Sequence, residues 1–131
     1  MFVDASAIIA IISGEDDATA LGARLARAQS VFVSPMVIYE ATLGLARRRA
    51  CSLGDAEDLV GDFVHETQAV TIPIDDGIAQ AAIRAFDLYG KGRHKADLNM
   101  GDCFAYACAK SLNLPVLFKG NDFAHTDIPV G

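Results

Sequence analysis

The 131-residue chain has three cysteines, eleven lysines and arginines against seventeen aspartates and glutamates, and only four prolines. Cys51, Cys103 and Cys108 form an odd set without a Cys-x-x-Cys pair, which excludes a disulfide or zinc framework and leaves three reduced packing residues. The shortage of cations gives a formal charge of −6 and an isoelectric point near 4.8, which argues against a basic coat protein for nucleic acid. Long apolar runs are missing too: the longest, Ala5 to Ile12, is too short to span a bilayer, and no cationic stretch precedes it as in a secretory signal. A soluble cytoplasmic protein is the expectation. Repeats, low-complexity tracts and Pro/Gly/Ser linkers are lacking, so residues 1–131 read as one unit. With 52% hydrophobic and 21% charged residues, that unit can bury a real core.

Short apolar runs alternate with helical patterns. Met1 to Asp4 reads as a buried strand feeding an apolar helix from Ala5, and Asp16 to Ala28 as an amphipathic helix carrying Leu21 and Leu25. Val31 to Val33 reads as a second strand, after which Ser34-Pro35 starts a helix reaching about Arg48. Ser52 and Asp55 have the spacing of a capping pair ahead of Leu59, Val60, Phe63 and Val64. Val70 to Ile74 is strand-like, and Asp75 and Asp76 can cap a helix carrying Ile78, Ala82, Ile83 and Phe86. A polar loop, Gly90 to Leu98, precedes a helix that begins near Asn99 to Asp102 and ends around Leu112. Pro115 to Phe118 is a further short strand, and the tail from Gly120 reads as loop with one edge strand. This alternation predicts a three-layer α/β/α sandwich around a mainly parallel sheet, with the ligand crevice at the carboxyl ends of the strands.

Most acids lie in helix first turns or on solvated faces. Four do not: Asp4, Glu40 and Asp102 are each the lone acid of an apolar stretch, and Asp122 lies in the turn Gly120-Asn121-Asp122-Phe123 after the strand Val116-Leu117-Phe118. A carboxylate in such surroundings must be paired, neutralised or bound to a metal, and neighbouring lysines and arginines are scarce. Taken singly, Asp102 also fits a helix first-turn acid and Asp122 a turn residue. Oxygen ligands without His or Cys suit a hard divalent ion such as Mg²⁺ or Mn²⁺, which in turn points to phosphoryl chemistry.

These residues resemble the PIN-domain ribonucleases, and within them the VapC-type toxins of bacterial toxin–antitoxin pairs. The resemblance covers the whole chain. It rests on Val3-Asp4-Ala5-Ser6, on Ser34-Pro35 followed by Glu40, on Asn99-Met100-Gly101-Asp102-Cys103-Phe104-Ala105-Tyr106, and on Lys119-Gly120-Asn121-Asp122-Phe123 with Thr126-Asp127-Ile128. It implies that Asp4, Glu40 and Asp102 are the main metal-binding acids and that Asp122 completes an acidic pocket. Ser6 matches a hydroxyl position that orders the metal site, and equally fits a helix N-cap; Asn121 fits either a supporting amide or a turn. The sequence departs from the family pattern at Lys95, where many relatives have Pro, and at Met100, a common Phe. The implied reaction is Mg²⁺-dependent hydrolysis of single-stranded RNA by water, with one ion or two left open. The implied partners are an antitoxin that blocks the pocket and a second copy of the chain in a homodimer.

Six of the eleven cations lie in two clusters, Arg47-Arg48-Arg49 and Lys91, Arg93 and Lys95. The first fits a helix C-terminus favoured by its dipole, with contact to RNA left open, and the second either a phosphate-contacting or a merely solvated loop. Two other readings stand beside the nuclease. A phosphoacceptor signalling domain would need an adjacent acid pair after the first strand, whereas Asp4 stands alone; a catalytically silent module would use the same fold for protein contact.

Overall fold

A computed structural model describes every residue, Met1–Gly131. Four short strands, β1 (Phe2–Val3), β2 (Phe32–Val33), β3 (Val70–Thr71) and β4 (Val116–Leu117), form one sheet in the order β3-β2-β1-β4. All three pairings are parallel, with Phe2 opposite both Phe32 and Val116. The two middle strands are apolar and fully buried in β1, whereas both residues of the edge strand β3 are exposed. The strand expected over Val70 to Ile74 is shorter: Val70 and Thr71 pair with Phe32 and Val33, the Ile72 amide donates to the Val33 carbonyl at 2.8 Å, and Pro73 has no amide to continue the ladder. The expected tail strand is reduced to a single parallel bridge between Val130 and Val116.

Six helices flank the sheet: α1 (Ala5–Ser13), α2 (Ala18–Ala26), α3 (Pro35–Arg49), α4 (Leu53–Glu66), α5 (Asp76–Tyr89) and α6 (Met100–Ser111). Four of their starts, those of α3 to α6, follow the expected chemistry. Ser34 Oγ accepts from the Val37 N–H with Pro35 at the first helical position, Ser52 Oγ accepts from Asp55, and Asp75 Oδ1 accepts from Ile78. Asn99 and Asp102 form a reciprocal capping box at the start of α6. Helices α1 to α4 pack on one another, α5 lies along α6, and α3 also touches α6. That last contact brings the acid of one helix to the acid of another.

The core joins both helix groups through Phe2, Val3, Ile8, Val33, Val37, Leu45, Val60, Leu98, Cys108 and Leu117. Cys103 and Cys108 are buried packing residues and all three cysteines are free. The chain end is tied down by Asp127, which accepts from Tyr106 at 2.5 Å and from Lys110 at 2.9 Å, so the Thr126-Asp127-Ile128 segment packs against α6. No helix is long and apolar enough to cross a membrane.

Candidate active site

Asp4, Glu40, Asp102 and Asp122 come from four separate elements and line one open cavity of about 450 Å³ at the carboxyl end of β1. Asp4 ends β1 and caps α1: its Oδ2 accepts from the Ser6 amide at 3.0 Å and from Ser6 Oγ at 2.6 Å. The Ser6 hydroxyl also accepts from the Lys119 amide at 3.0 Å, linking Asp4 to the turn that carries Asp122. Asp102 spends one oxygen in the same way. Its Oδ2 accepts from the Asn99 amide at 3.1 Å within the capping box. Both residues thus fix their orientation with one oxygen and leave Oδ1 unbonded within the protein. The capping role and the site role, alternatives in the sequence, coexist in one side chain.

Glu40 is placed by sterics. On α3 it lies on the stripe Glu40, Leu43, Gly44 and Arg47, which faces the cavity, while Val37, Ala41 and Leu45 on the adjoining face enter the core. Its carboxylate reaches over Gly101 in the first turn of α6, so closely that a Cβ at Gly101 would collide with it. Asp122 follows β4 on the turn that begins at Gly120, whose φ of +100° favours glycine. The buried Phe123, packed at a 60° tilt against Phe118 with ring centroids 5.2 Å apart, anchors the far side of that turn. Asn121 is exposed beside it and makes no side-chain hydrogen bond, consistent with a turn residue.

The electrostatics are unfavourable for the anions as they stand. None of the four acids is in an ion pair. Burial raises the Asp4 carboxyl above its ordinary range against the opposing Ser6 bonds, and Asp122 raises it further. Burial, then Asp4 and Asp102, push Glu40 up to about 7. Asp102 also rises to about 7, chiefly through burial, which the Asn99 bond opposes and Asp4 and Asp122 reinforce. No three His, Cys, Asp or Glu side chains are gathered into a ready coordination shell, so the cavity holds converging carboxylates rather than a preformed cage. The donor set is all oxygen, lacks a paired lysine or arginine, and concentrates negative charge; it fits a hard divalent cation.

Other expected residues lie elsewhere. Lys91, Arg93 and Lys95 are exposed but do not line the cavity; Arg93 pairs with Asp87 at 3.1 Å and covers the Phe86 ring. Asp75 is the cap of α5, so no adjacent acid pair of the phosphoacceptor kind stands at the cavity. Two lining or supporting residues, both named in the sequence reading, were not placed at the cavity by it. Gly101 was signalled by a glycine inside a helical first turn beside an acid, and Arg47 by its position seven residues after Glu40 on one helix face.

The whole-chain comparisons agree with this geometry. The PIN-domain family model matches residues 1–129. A VapC ribonuclease of Rhizobium meliloti is 40% identical, covering 97% of this chain and 98% of that protein. Ribonuclease VapC30 of Mycobacterium tuberculosis is 38% identical, covering 98% and 95%. Among solved structures, M. tuberculosis VapC20, described as a sarcin–ricin loop cleaving toxin, superposes with a TM-score of 0.76 at 18% identity over 97% of this chain and 95% of that one. A chain of a toxin–antitoxin complex from Klebsiella pneumoniae superposes with a TM-score of 0.71 at 20% identity, covering 99% and 95%. With its parallel sheet, its acid-lined cavity and near-complete matches at these identities, the chain belongs to the PIN-domain family and, within it, to the VapC ribonucleases.

Proposed function

We propose that the protein is a divalent-metal-dependent endoribonuclease acting as the toxin of a toxin–antitoxin pair in the cytoplasm. The observation that carries this reading is the convergence of four carboxylates from four elements on one cavity, with no cation paired to any of them. Asp4, Glu40, Asp102 and Asp122 would hold Mg²⁺ or Mn²⁺, which when bound supplies an acidified water and neutralises charge at the phosphodiester. Ser6 and the Asn99 amide fix the two aspartates through their Oδ2 atoms, so that their other oxygens need little reorganisation. Gly101 keeps the space that Glu40 occupies. Single-stranded RNA is the substrate; exposed Lys91 and Lys95, which have no ion-pair partner, serve it outside the cavity, and Arg93 supplements them.

Two apolar features support the proposed partners. A groove of about 370 Å³ between α3 and α4, lined by Ile38, Tyr39, Leu43 and Leu53, shares Tyr39 and Leu43 with the acid cavity. An antitoxin segment lying there would reach the carboxylates. On the opposite helix pair, Ile83 and Met100 are 70% and 66% exposed beside Phe86, an apolar face suited to a second copy of the chain.

The test is cleavage of single-stranded RNA by the purified protein with Mg²⁺ or Mn²⁺. Asp4→Asn and Asp102→Asn should keep the far-UV circular dichroism of the parent and lose cleavage. Full activity in both variants would refute the reading, and no Mn²⁺ binding at millimolar metal would favour a silent binding module instead.

A further inference from the structure

Arg47, Arg48 and Arg49 close α3 side by side, yet their contacts divide them. Arg48 Nη2 donates to Glu15 Oε1 at 3.1 Å, and Glu15, only 12% exposed, also accepts from Lys119 Nζ at 2.6 Å. Arg49 Nη1 donates to the Ile12 carbonyl at 3.1 Å. Both therefore brace the end of α3 against α1 and the turn that follows it. Arg47 makes no hydrogen bond and no ion pair, although it is the single lysine or arginine that lines the acid cavity. It lies on the same stripe as Glu40, about 10 Å along the helix axis at 1.5 Å per residue. It is not the counter-ion of the carboxylates, since it forms no ion pair with any of them.

An unpaired guanidinium at the rim of an acidic cavity is suited to a ligand that carries anionic groups in a row. Its planar fork matches a phosphate, and its distance from Glu40 separates it from the reacting centre. We propose that Arg47 anchors the RNA by contacting a backbone phosphate that flanks the one at the carboxylates, while Arg48 and Arg49 hold α3 in place and do not touch substrate. The inference rests on the ribonuclease reading and adds the residue that offsets the repulsion between an acidic protein and a polyanion.

The experiment measures binding of a fluorescent single-stranded RNA to the full-length cleavage-deficient Asp102→Asn protein in Mg²⁺, by anisotropy across a salt series. Adding Arg47→Gln should weaken binding about 5-fold to 10-fold and reduce the slope of log K against log salt by about 0.7, the single-strand value for one phosphate. Arg47→Lys should keep the slope, and Arg48→Gln should stay within about twofold of the parent. In the otherwise native protein, Arg47→Gln should leave Mn²⁺ affinity by electron paramagnetic resonance no weaker than wild type. Unchanged affinity and slope in Arg47→Gln, or an equal loss in Arg48→Gln, would overturn the assignment while leaving the ribonuclease reading intact. Absence of RNA binding and cleavage in the native protein would overturn both.

Discussion

Replacing Gly101 by alanine adds one methyl group, and the structure assigns its effect to the site rather than to the fold. In an ordinary helix this change stabilises by about 0.5–1 kcal/mol, because alanine loses less backbone freedom than glycine. Here the new Cβ would occupy the space of the Glu40 carboxylate. Overpacking of a rigid neighbour costs about 1–3 kcal/mol, but Glu40 is only half-buried and can rotate outward. Leaving also frees it from burial and from the repulsion of Asp4 and Asp102 that holds it near 7. The two effects offset, so Gly101→Ala should unfold within about 1 kcal/mol of wild type. The displaced carboxylate moves by more than an ångström, which predicts about a 100-fold loss of RNA cleavage and about a 10-fold to 100-fold loss of Mn²⁺ affinity. Urea denaturation, Mn²⁺ titration and an RNA cleavage assay read the three quantities. Adding Glu40→Asp, one methylene shorter, should recover part of the metal affinity that Gly101→Ala loses. A Gly101→Ala protein with wild-type metal affinity and cleavage would refute the steric reasoning.

Three further outcomes follow from the same geometry. Glu40 and Asp102 have ordinary values of 4.5 and 3.8 and stand near 7 in the fold, so between about pH 4.5 and 7 the native chain binds more protons than the unfolded one. Metal-free stability should therefore fall as pH rises through this window, by about 1–2 kcal/mol once exposure and coupling are discounted. Urea midpoints in chelator at pH 5 and 7.5 would show a smaller pH difference for Asp102→Asn than for wild type, and excess Mn²⁺ should recover stability at the higher pH; equal pH differences would count against the cluster. Ser6→Ala removes the 2.6 Å bond to Asp4 and the acceptor of the Lys119 amide, so it should cost about 1 kcal/mol and about 10-fold in metal affinity, measured by melting and by titration. Glu15→Gln weakens the anchor shared by Lys119 and Arg48, and amide hydrogen exchange should quicken from Lys119 to Phe123; unchanged protection there would show that Ser6 and Phe123 alone hold the turn.

What the sequence disclosed and what it withheld differ by the range of the interaction. Asp4 and Glu40 were legible because an acid among apolar neighbours is costly wherever the chain goes, and the parallel sheet was legible because short apolar runs alternated with capped helices. Strand length was less so: pairing ends just beyond Val70 and Thr71 because β2 stops at Val33, where Ser34-Pro35 opens α3, and Pro73 has no amide to donate. The cations were harder to sort for a related reason. Arg93 lies in a loop that invites phosphate and also pairs with Asp87 over the Phe86 ring, whereas Arg47 looked like one of three equivalent helix-end charges. Composition cannot separate Arg47 from Arg48, but helical phase can, since only Arg47 shares a stripe with Glu40. Gly101 required one step more. Its role exists only because α3 crosses α6 at the first turn, so the missing side chain of one helix sets where the carboxylate of another can lie. A sequence reading that asks which acids are costly should therefore also ask which neighbouring glycine leaves room for them to meet.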